Sequence, residues 1–250
     1  MPTAVTVIIP TLNEAAQIGE CVRQLAWAAE VIVADGGSSD DTVAQAQAAG
    51  ARVLESRATT IAGQRNEAIT AARHEWIYAL DADERIGAEL VAELQAVIAA
   101  PSHEAYAVRR RNVYLGRIMH HAGWGSDWAV RLFRRDRRFI ERRVHEGLEP
   151  VADVGRLQAP VDHTPYRDLA EHLEKLVRYA GWGAQDLRDR GRRARVADLL
   201  VRPPFTFART YLLQLGILEG WRGIVLCGLA AVSVFIKYAR LWELERQAHG

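Results

Sequence analysis

The sequence predicts an α/β fold, a mostly parallel sheet flanked by helices (Rossmann-like), followed by a helical C-terminal extension. Three observations predict it. Short β-branched apolar runs alternate with amphipathic stretches over the first hundred residues, the pattern turns to apolar–polar alternation after Pro101, and it becomes helical from Tyr166 onward. Strands alternating with helices of ten or more residues build βαβ units, and simple alternation marks half-exposed antiparallel strands. At 250 residues the chain is long for one ordinary domain and short for two. The expected division is therefore a sheet domain over residues 1–165 and a helical region over 166–250. Within the first, residues 1–100 form a ligand-binding half and 101–165 a second half.

Each element has its own signal. Val5–Pro10 is a continuous apolar run, as a strand buried on both faces should be. Glu14–Ala28 spaces Ile18, Cys21, Val22 and Leu25 as an amphipathic helix. Val31–Ala34 is a second strand, ended by Asp35-Gly36-Gly37. Ser39, Asp40 and Asp41 offer N-cap oxygens to a helix that Gly50 closes. Arg52–Leu54 and Trp76–Leu80 read as strands, Ile61–Arg73 and Gly87–Ala99 as helices. Glu104–Leu115 and Ala129–Arg135 alternate as antiparallel strands. A helix near 166–190 follows, then a loop at Pro203-Pro204 and an apolar, aromatic tail over 205–242.

Charge is unevenly spread. Residues 1–100 carry six arginines against fourteen carboxylates, while the remainder carries 26 basic against 17 acidic side chains. A basic second half suits an anionic partner: nucleic acid, a phosphorylated substrate or a membrane surface. Two distant cysteines argue against a disulfide framework, and the absence of a basic segment before an apolar one argues against a signal peptide. The cytoplasm is the expected compartment. In the tail, Ile224–Ile236 is thirteen residues without a charge, short of the roughly 20 a spanning helix needs. Phe205, Phe207, Tyr211, Trp221, Phe235, Tyr238 and Trp242, interleaved with arginines and a lysine, point instead to interfacial helices. A cap on the chain's own core or on a second subunit is the alternative.

The strongest chemical signal is Leu80-Asp81-Ala82-Asp83-Glu84 at the end of a buried strand. Carboxylates at i and i+2 of an extended chain point the same way, and a divalent cation relieves their repulsion. Mg²⁺ or Mn²⁺ takes one or two carboxylates and completes its shell with water and phosphate oxygens. The competing reading is a helix N-terminus. Asp35 ends the second strand and suits either a hydrogen bond to a base or ribose, or an Asx turn. No G-x-G-x-x-G or P-loop pattern occurs.

Taken together, Ile8-Ile9-Pro10-Thr11-Leu12-Asn13-Glu14, Val33–Thr42, Gly63-Gln64-Arg65-Asn66 and Leu80–Glu84 resemble family 2 of the nucleotide-sugar glycosyltransferases, which have the GT-A fold and invert the anomeric centre. Val130–Arg135, Val144-His145-Glu146 and the aromatic tail resemble its lipopolysaccharide-core β-glucosyltransferase branch. The resemblance implies that Thr11, Asn13 and Glu14 line a nucleotide pocket. It implies that Asp35 accepts from the uracil N3–H, and that Arg65 and Asn66 lie beside the diphosphate. Asp81 and Asp83 would face ribose and a Mg²⁺ or Mn²⁺ ion, with His163 as a late metal ligand. Glu146 matches the general base, and Asp127 is the second candidate for that role. The Glu-Asp pair and Gln-x-x-Arg-Trp motif of processive members are absent.

The expected activity is metal-assisted transfer of a hexose, glucose from UDP-glucose, to a lipopolysaccharide inner-core sugar. Polyprenyl phosphate or a peptide is the alternative acceptor, and a catalytically silent binding protein the alternative class. The expected place is the cytoplasmic face of the inner membrane, where arginines meet anionic headgroups and a lipid-linked saccharide. No nucleic-acid motif supports that partner.

Overall fold

The computed structural model describes residues 2–140 and 147–247. The chain divides into two compact units, residues 1–110 with 128–163, and residues 111–127 with 164–250. The excursion 111–127 thus groups with the helical region rather than with the sheet that precedes and follows it.

The first unit opens with β1 (Thr3–Thr11), α1 (Ile18–Arg23), β2 (Ala28–Asp35), α2 (Thr42–Ala48), β3 (Arg52–Glu55), α3 (Ile61–Ala71) and β4 (Trp76–Ala79). β5 (Glu84–Ile86), α4 (Ala88–Ala99), β6 (Ala105–Tyr114) and β8 (Asp127–Arg134) follow, with β7 (Arg117–Ile118) in the excursion between them that groups with the second unit. Then come β9 (Phe139–Ile140), β10 (Gly147–Leu148), β11 (Val154–Arg156) and β12 (Val161–His163). The main sheet runs β3-β2-β1-β4-β8-β6-β12-β5. β3, β2, β1 and β4 pair in parallel, whereas β8 joins β4 and β12 joins β5 antiparallel.

β1 shows why its sequence is apolar throughout. Val5, Val7 and Ile9 enter one core with Cys21, Leu90 and Leu94, and Ile8 enters another with Ala68, Ile69 and Ile77. Alternate residues thus serve helices on opposite faces of the sheet, and each fully buried aliphatic side chain is worth about 1.5–3 kcal/mol.

Tertiary pairing shortens the helix expected over Glu14–Ala28 to Ile18–Arg23. Ala28 already pairs with Thr3 as the first residue of β2, and Thr3 N donates to Trp27 O at 2.8 Å. The N-cap expectation also shifts. Asp41 makes no side-chain cap hydrogen bond, and Asp40 accepts from Thr42 N at 3.0 Å instead.

The second unit contains α5 (Leu169–Asp189), α6 (Val196–Leu200), α7 (Arg202–Ala208), a π-helical turn (Arg209–Leu213), a 3₁₀ turn (Gly216–Glu219) and α8 (Trp221–Gln247). Asp168 caps α5 by accepting from Glu171 N at 2.8 Å. Pro203-Pro204 does not form the expected loop. The pair sits in the first turn of α7, where a missing N–H breaks no helical hydrogen bond.

The tail's aromatics also divide differently from the interfacial expectation. Phe207 and Tyr211 stack at 5.1 Å and pack against a core of Tyr114, Met119, Leu226 and Cys227, while Tyr238 is buried with Ala184 and Leu241. Phe205, Trp221 and Phe235 remain exposed.

Candidate active site

Strand register decides where the polar residues gather. Thr11 lies opposite Asp35, and Ile8 lies opposite Ala79. The carboxyl ends of β1, β2 and β4 therefore share one edge, the side on which open α/β sheets bind ligands.

The first part of that edge is stitched by neutral donors. Asp35 is buried, and its Oδ2 accepts from Gly37 N (3.0 Å) and Ser38 N (2.8 Å). Its Oδ1 accepts from Thr11 Oγ1 (3.2 Å) and Ser38 Oγ (2.5 Å). Four donors fill the acceptor sites of one carboxylate, so Asp35 shapes its own loop. Gly37 adopts φ 91°, a conformation that favours glycine, and a Cβ on Gly36 would lie 2.0 Å from Gln64 Nε2, so that side chain would have to move. Asn13, at φ 59°, accepts from Ser39 N at 2.8 Å, and Glu14 N donates to Thr42 Oγ1 at 2.8 Å. The loops after β1 and β2 thereby form one wall.

The second part is braced by charge. Residues 81–84 form a turn in which Glu84 N donates to Asp81 O (3.0 Å) and Asp81 N donates to Glu84 Oε2 (3.0 Å). The extended geometry expected to set Asp81 beside Asp83 is thus replaced by a turn that gives them different partners. Asp81 lies 2.5 Å from Arg65 Nη2 and 2.8 Å from Arg131 Nη2. Arg131 Nη2 also reaches Glu84 Oε1 at 2.5 Å, with Glu84 fully buried and Arg131 4 % exposed.

Burial alone would raise the Asp81 pKa, but the Arg131 and Arg65 guanidiniums outweigh it and hold the carboxyl well below its usual range. Burial prevails at Glu84, which is pushed up although Arg131 opposes the shift. Two carboxylates sharing one guanidinium separate in this way.

Asp83 faces His163 instead. Antiparallel pairing sets His163 opposite Glu84, and its Nε2 lies 3.5 Å from Asp83 Oδ2. Burial would lower the imidazole pKa, but the hydrogen bond and charge of Asp83 overcome it, so the net shift is upward. Asp83 Oδ1 is buried and has no hydrogen-bond partner among the described residues.

That orphaned oxygen and the neighbouring imidazole are a donor pair that Mn²⁺ accepts, and Mg²⁺ through the oxygen. Among the described residues no group of three or more His, Cys, Asp or Glu side chains surrounds a metal position. The residues fit an ion that draws its remaining ligands from phosphate and water, with Asp81 engaged by arginines.

A cleft of about 460 Å³ adjoins the turn, lined by Arg65, Asp81, Arg110, Trp128, Arg131 and Phe139 among others. The Arg65 guanidinium lies 4.8 Å from the Phe139 ring centroid. Asn66 turns to the same strand: its Nδ2 donates to Phe139 O (2.9 Å) and its Oδ1 accepts from Phe139 N (2.8 Å). Its amide therefore anchors β9.

The described geometry brings together Thr11, Asn13, Glu14 and Asp35 in one wall, and Arg65, Asp81, Asp83 and His163 around one turn. Asp127 is the first residue of β8 and groups with the second unit. Glu146, with Arg142 and Arg143, lies outside the described residues.

Sequence reasoning assigned no role to Arg131, Glu84, Ser38 or Trp128. Arg131 carried no signal of its own, because an arginine between Val130 and Leu132 in an alternating strand reads equally as a solvated face.

Residues 6–152 match the sequence model of glycosyl transferase family 2. The chain is similar to the lipopolysaccharide core biosynthesis glycosyltransferase LpsC of Rhizobium meliloti (strain 1021). The two are 29 % identical over 244 residues, covering 91 % of this chain and 90 % of LpsC. An uncharacterized glycosyltransferase of Rickettsia bellii (strain RML369-C) is 26 % identical over 259 residues, covering 98 % of this chain and 88 % of its own. Among solved structures, residues 1–349 of S. aureus TarS in complex with UDP-GlcNAc give a TM-score of 0.53 at 18 % identity. That match covers 99 % of this chain and 92 % of the other. It is a likeness of fold, the GT-A arrangement of sheet and flanking helices.

Proposed function

The chain belongs to glycosyl transferase family 2, and on that premise we propose that it transfers a hexose, glucose from UDP-glucose, to a lipopolysaccharide inner-core sugar with inversion. The observation that carries this reading is the turn Asp81–Glu84 at the sheet edge, with Arg65 and Arg131 on one carboxylate and His163 on the next. The acceptor class follows the name of LpsC.

In this reading the wall built by Thr11, Asn13, Glu14 and Asp35 receives the nucleoside, its shape held by the hydrogen bonds around Asp35. Arg65 and Arg131 are held by Asp81 beside the cleft, so their positive charge is in place when the diphosphate departs and needs no reorganisation. Asp83 and His163 would hold Mg²⁺ or Mn²⁺, which when bound neutralises charge on the leaving diphosphate. Trp128, 37 % exposed at the cleft with the Arg156 guanidinium 5.0 Å from its ring, offers an aromatic surface to a sugar. Glu146 removes the proton of the attacking hydroxyl, with Asp127 as the alternative carboxylate.

The reaction takes place at the cytoplasmic face of the inner membrane, where the helical region meets the lipid that carries the acceptor. In support, the helical unit leaves large apolar side chains exposed, Phe205, Leu213 and Trp221 among them.

Calorimetric titration with UDP, with and without Mn²⁺, tests the donor half. Binding that strengthens at least tenfold with the ion, and loses that gain in Asp83→Ala, is expected. Binding indifferent to both changes overturns the metal assignment, and no binding of UDP overturns the donor. Mass spectrometry of products from truncated core acceptors, polyprenyl phosphate and peptide then identifies the acceptor.

A further inference from the structure

The helical unit exposes apolar side chains most densely at one place. Between residues 200 and 224, ten large apolar side chains are at least 48 % exposed. Six of them, Leu212, Leu213, Leu215, Ile217, Leu218 and Trp221, fall between the π-helical turn and the first residue of α8, and Leu213 is 77 % exposed. Isolated exposed leucines need no explanation, but six exposed apolar side chains within residues 212–221 of a folded unit mark a surface that something covers.

The turns are firmly built. Leu215 adopts a left-handed backbone (φ 57°), and Gly220 also has a positive φ (62°). A left-handed leucine is disfavoured and persists only where its surroundings impose it. Here the base is tight: a Cβ on Gly216 would meet Thr210 O at 2.9 Å, and one on Gly223 would meet Gly216 O at 1.9 Å. Glu219 Oε1 accepts from His120 N (2.8 Å), His121 N (2.9 Å) and His121 Nδ1 (2.8 Å), and Ala122 N donates to Gln214 O at 2.8 Å. The apolar side chains therefore stand on a fixed platform.

Charge selects the occupant. From residue 199 to 224 the single acidic side chain is Glu219, which is 2 % exposed; Arg209 and Arg222 are cations there, whereas Arg202 pairs with Asp198 at 2.5 Å. Exposed leucines and a tryptophan interspersed in sequence with Arg209 and Arg222, with no exposed carboxylate, are complementary to anionic headgroups over acyl chains.

We propose that the knuckle at residues 212–221 is a wedge that inserts into the interface of an anionic bilayer, the rest of the helical unit remaining outside it. This rests on the membrane-face reading above and names the element that makes the contact. It also assigns α8 a different part from that of a spanning helix. α5 and α7 pack along α8, with Leu226, Cys227, Tyr238 and Leu241 buried, so drawing it into lipid would strip two cores.

The test is co-sedimentation of the full chain with vesicles of phosphatidylglycerol and phosphatidylethanolamine, against phosphatidylcholine alone. Leu213→Ser with Leu218→Ser lowers binding to the anionic vesicles by about tenfold or more, whereas Val232→Ser with Phe235→Ser on α8 changes it by less than about twofold. Arg209→Gln reduces the preference for anionic over neutral vesicles. Thermal midpoints are compared throughout, and Leu213→Gln alone replaces the double variant if that one unfolds.

Undiminished vesicle binding by the wedge variants overturns the proposal, as does release by the α8 variants instead. So does a dimer, seen by sedimentation equilibrium, that the wedge substitutions dissociate while vesicle binding persists. UDP binding by the same proteins reads the donor assignment separately, so the two can fail independently.

Discussion

The Asp81 cluster of the first unit and two buried side chains of the second, Glu219 and His172, handle ionisable groups in opposite ways. In the first, charge answers charge: Arg131 is shared by Asp81 and Glu84, and Arg65 completes the cluster. In the second, neutral dipoles and rings do the work. Glu219 is held by two backbone amides and an imidazole nitrogen. His172 is buried with the Tyr114 hydroxyl 2.9 Å from its Nδ1 and Tyr166 stacked on it at 3.9 Å. A charged cluster holds arginines ready beside a cleft, where an arriving diphosphate finds fixed positive charge. A neutral cluster holds shape, which is what a platform for exposed side chains needs.

The sharpest way to break that contrast is Arg131→Met. It leaves two buried carboxylates with half their compensation and destabilises by about 3–5 kcal/mol, read from urea midpoints. An equal effect from Tyr114→Phe in the second unit would erase the distinction.

Acid separates the units next. Burial lowers the His172 pKa to about 4, so between that value and about 6.5 the unfolded chain binds the extra proton and stability rises with pH. Lowering pH from 7 to 4 therefore costs about 2–3 kcal/mol through this group, and His172→Phe flattens that part of the profile.

The smallest effect belongs to Asn66→Ala, which removes two hydrogen bonds to Phe139. About 1–2 kcal/mol is expected, with a rise in KM for the donor as β9 loosens beneath Arg65. A change confined to kcal/mol of stability, with KM unaltered, would assign Asn66 to the fold alone.

Local signals predicted much of the site. The Asp35 loop is made within four residues by an acid followed by two glycines and a serine, so its turn was visible in the order of residues. Resemblance to a family implies Asp83 and His163 each as a metal ligand, and strand pairing across eighty residues brings the two to 3.5 Å. The Asp81 cluster was less legible. Its arginines lie 16 and 50 residues away, and an arginine in a strand looks equally like a solvated face until its neighbours are known. In the tail, aromatics suggested the surface, yet Phe207, Tyr211 and Tyr238 pack inward while leucines face out. Hydrophobicity says that a side chain needs cover, not which cover it finds.

Periodicity, turn residues and ordered motifs were sufficient for the α/β architecture, the polar strand edge and the family, because these depend on neighbours within a few residues. Only the folded chain decided which carboxylate took the arginines and which faced the histidine, where two prolines start a helix, and which apolar side chains stay uncovered. Those outcomes depend on pairing between distant segments, where burial and charge compensation outweigh any local preference.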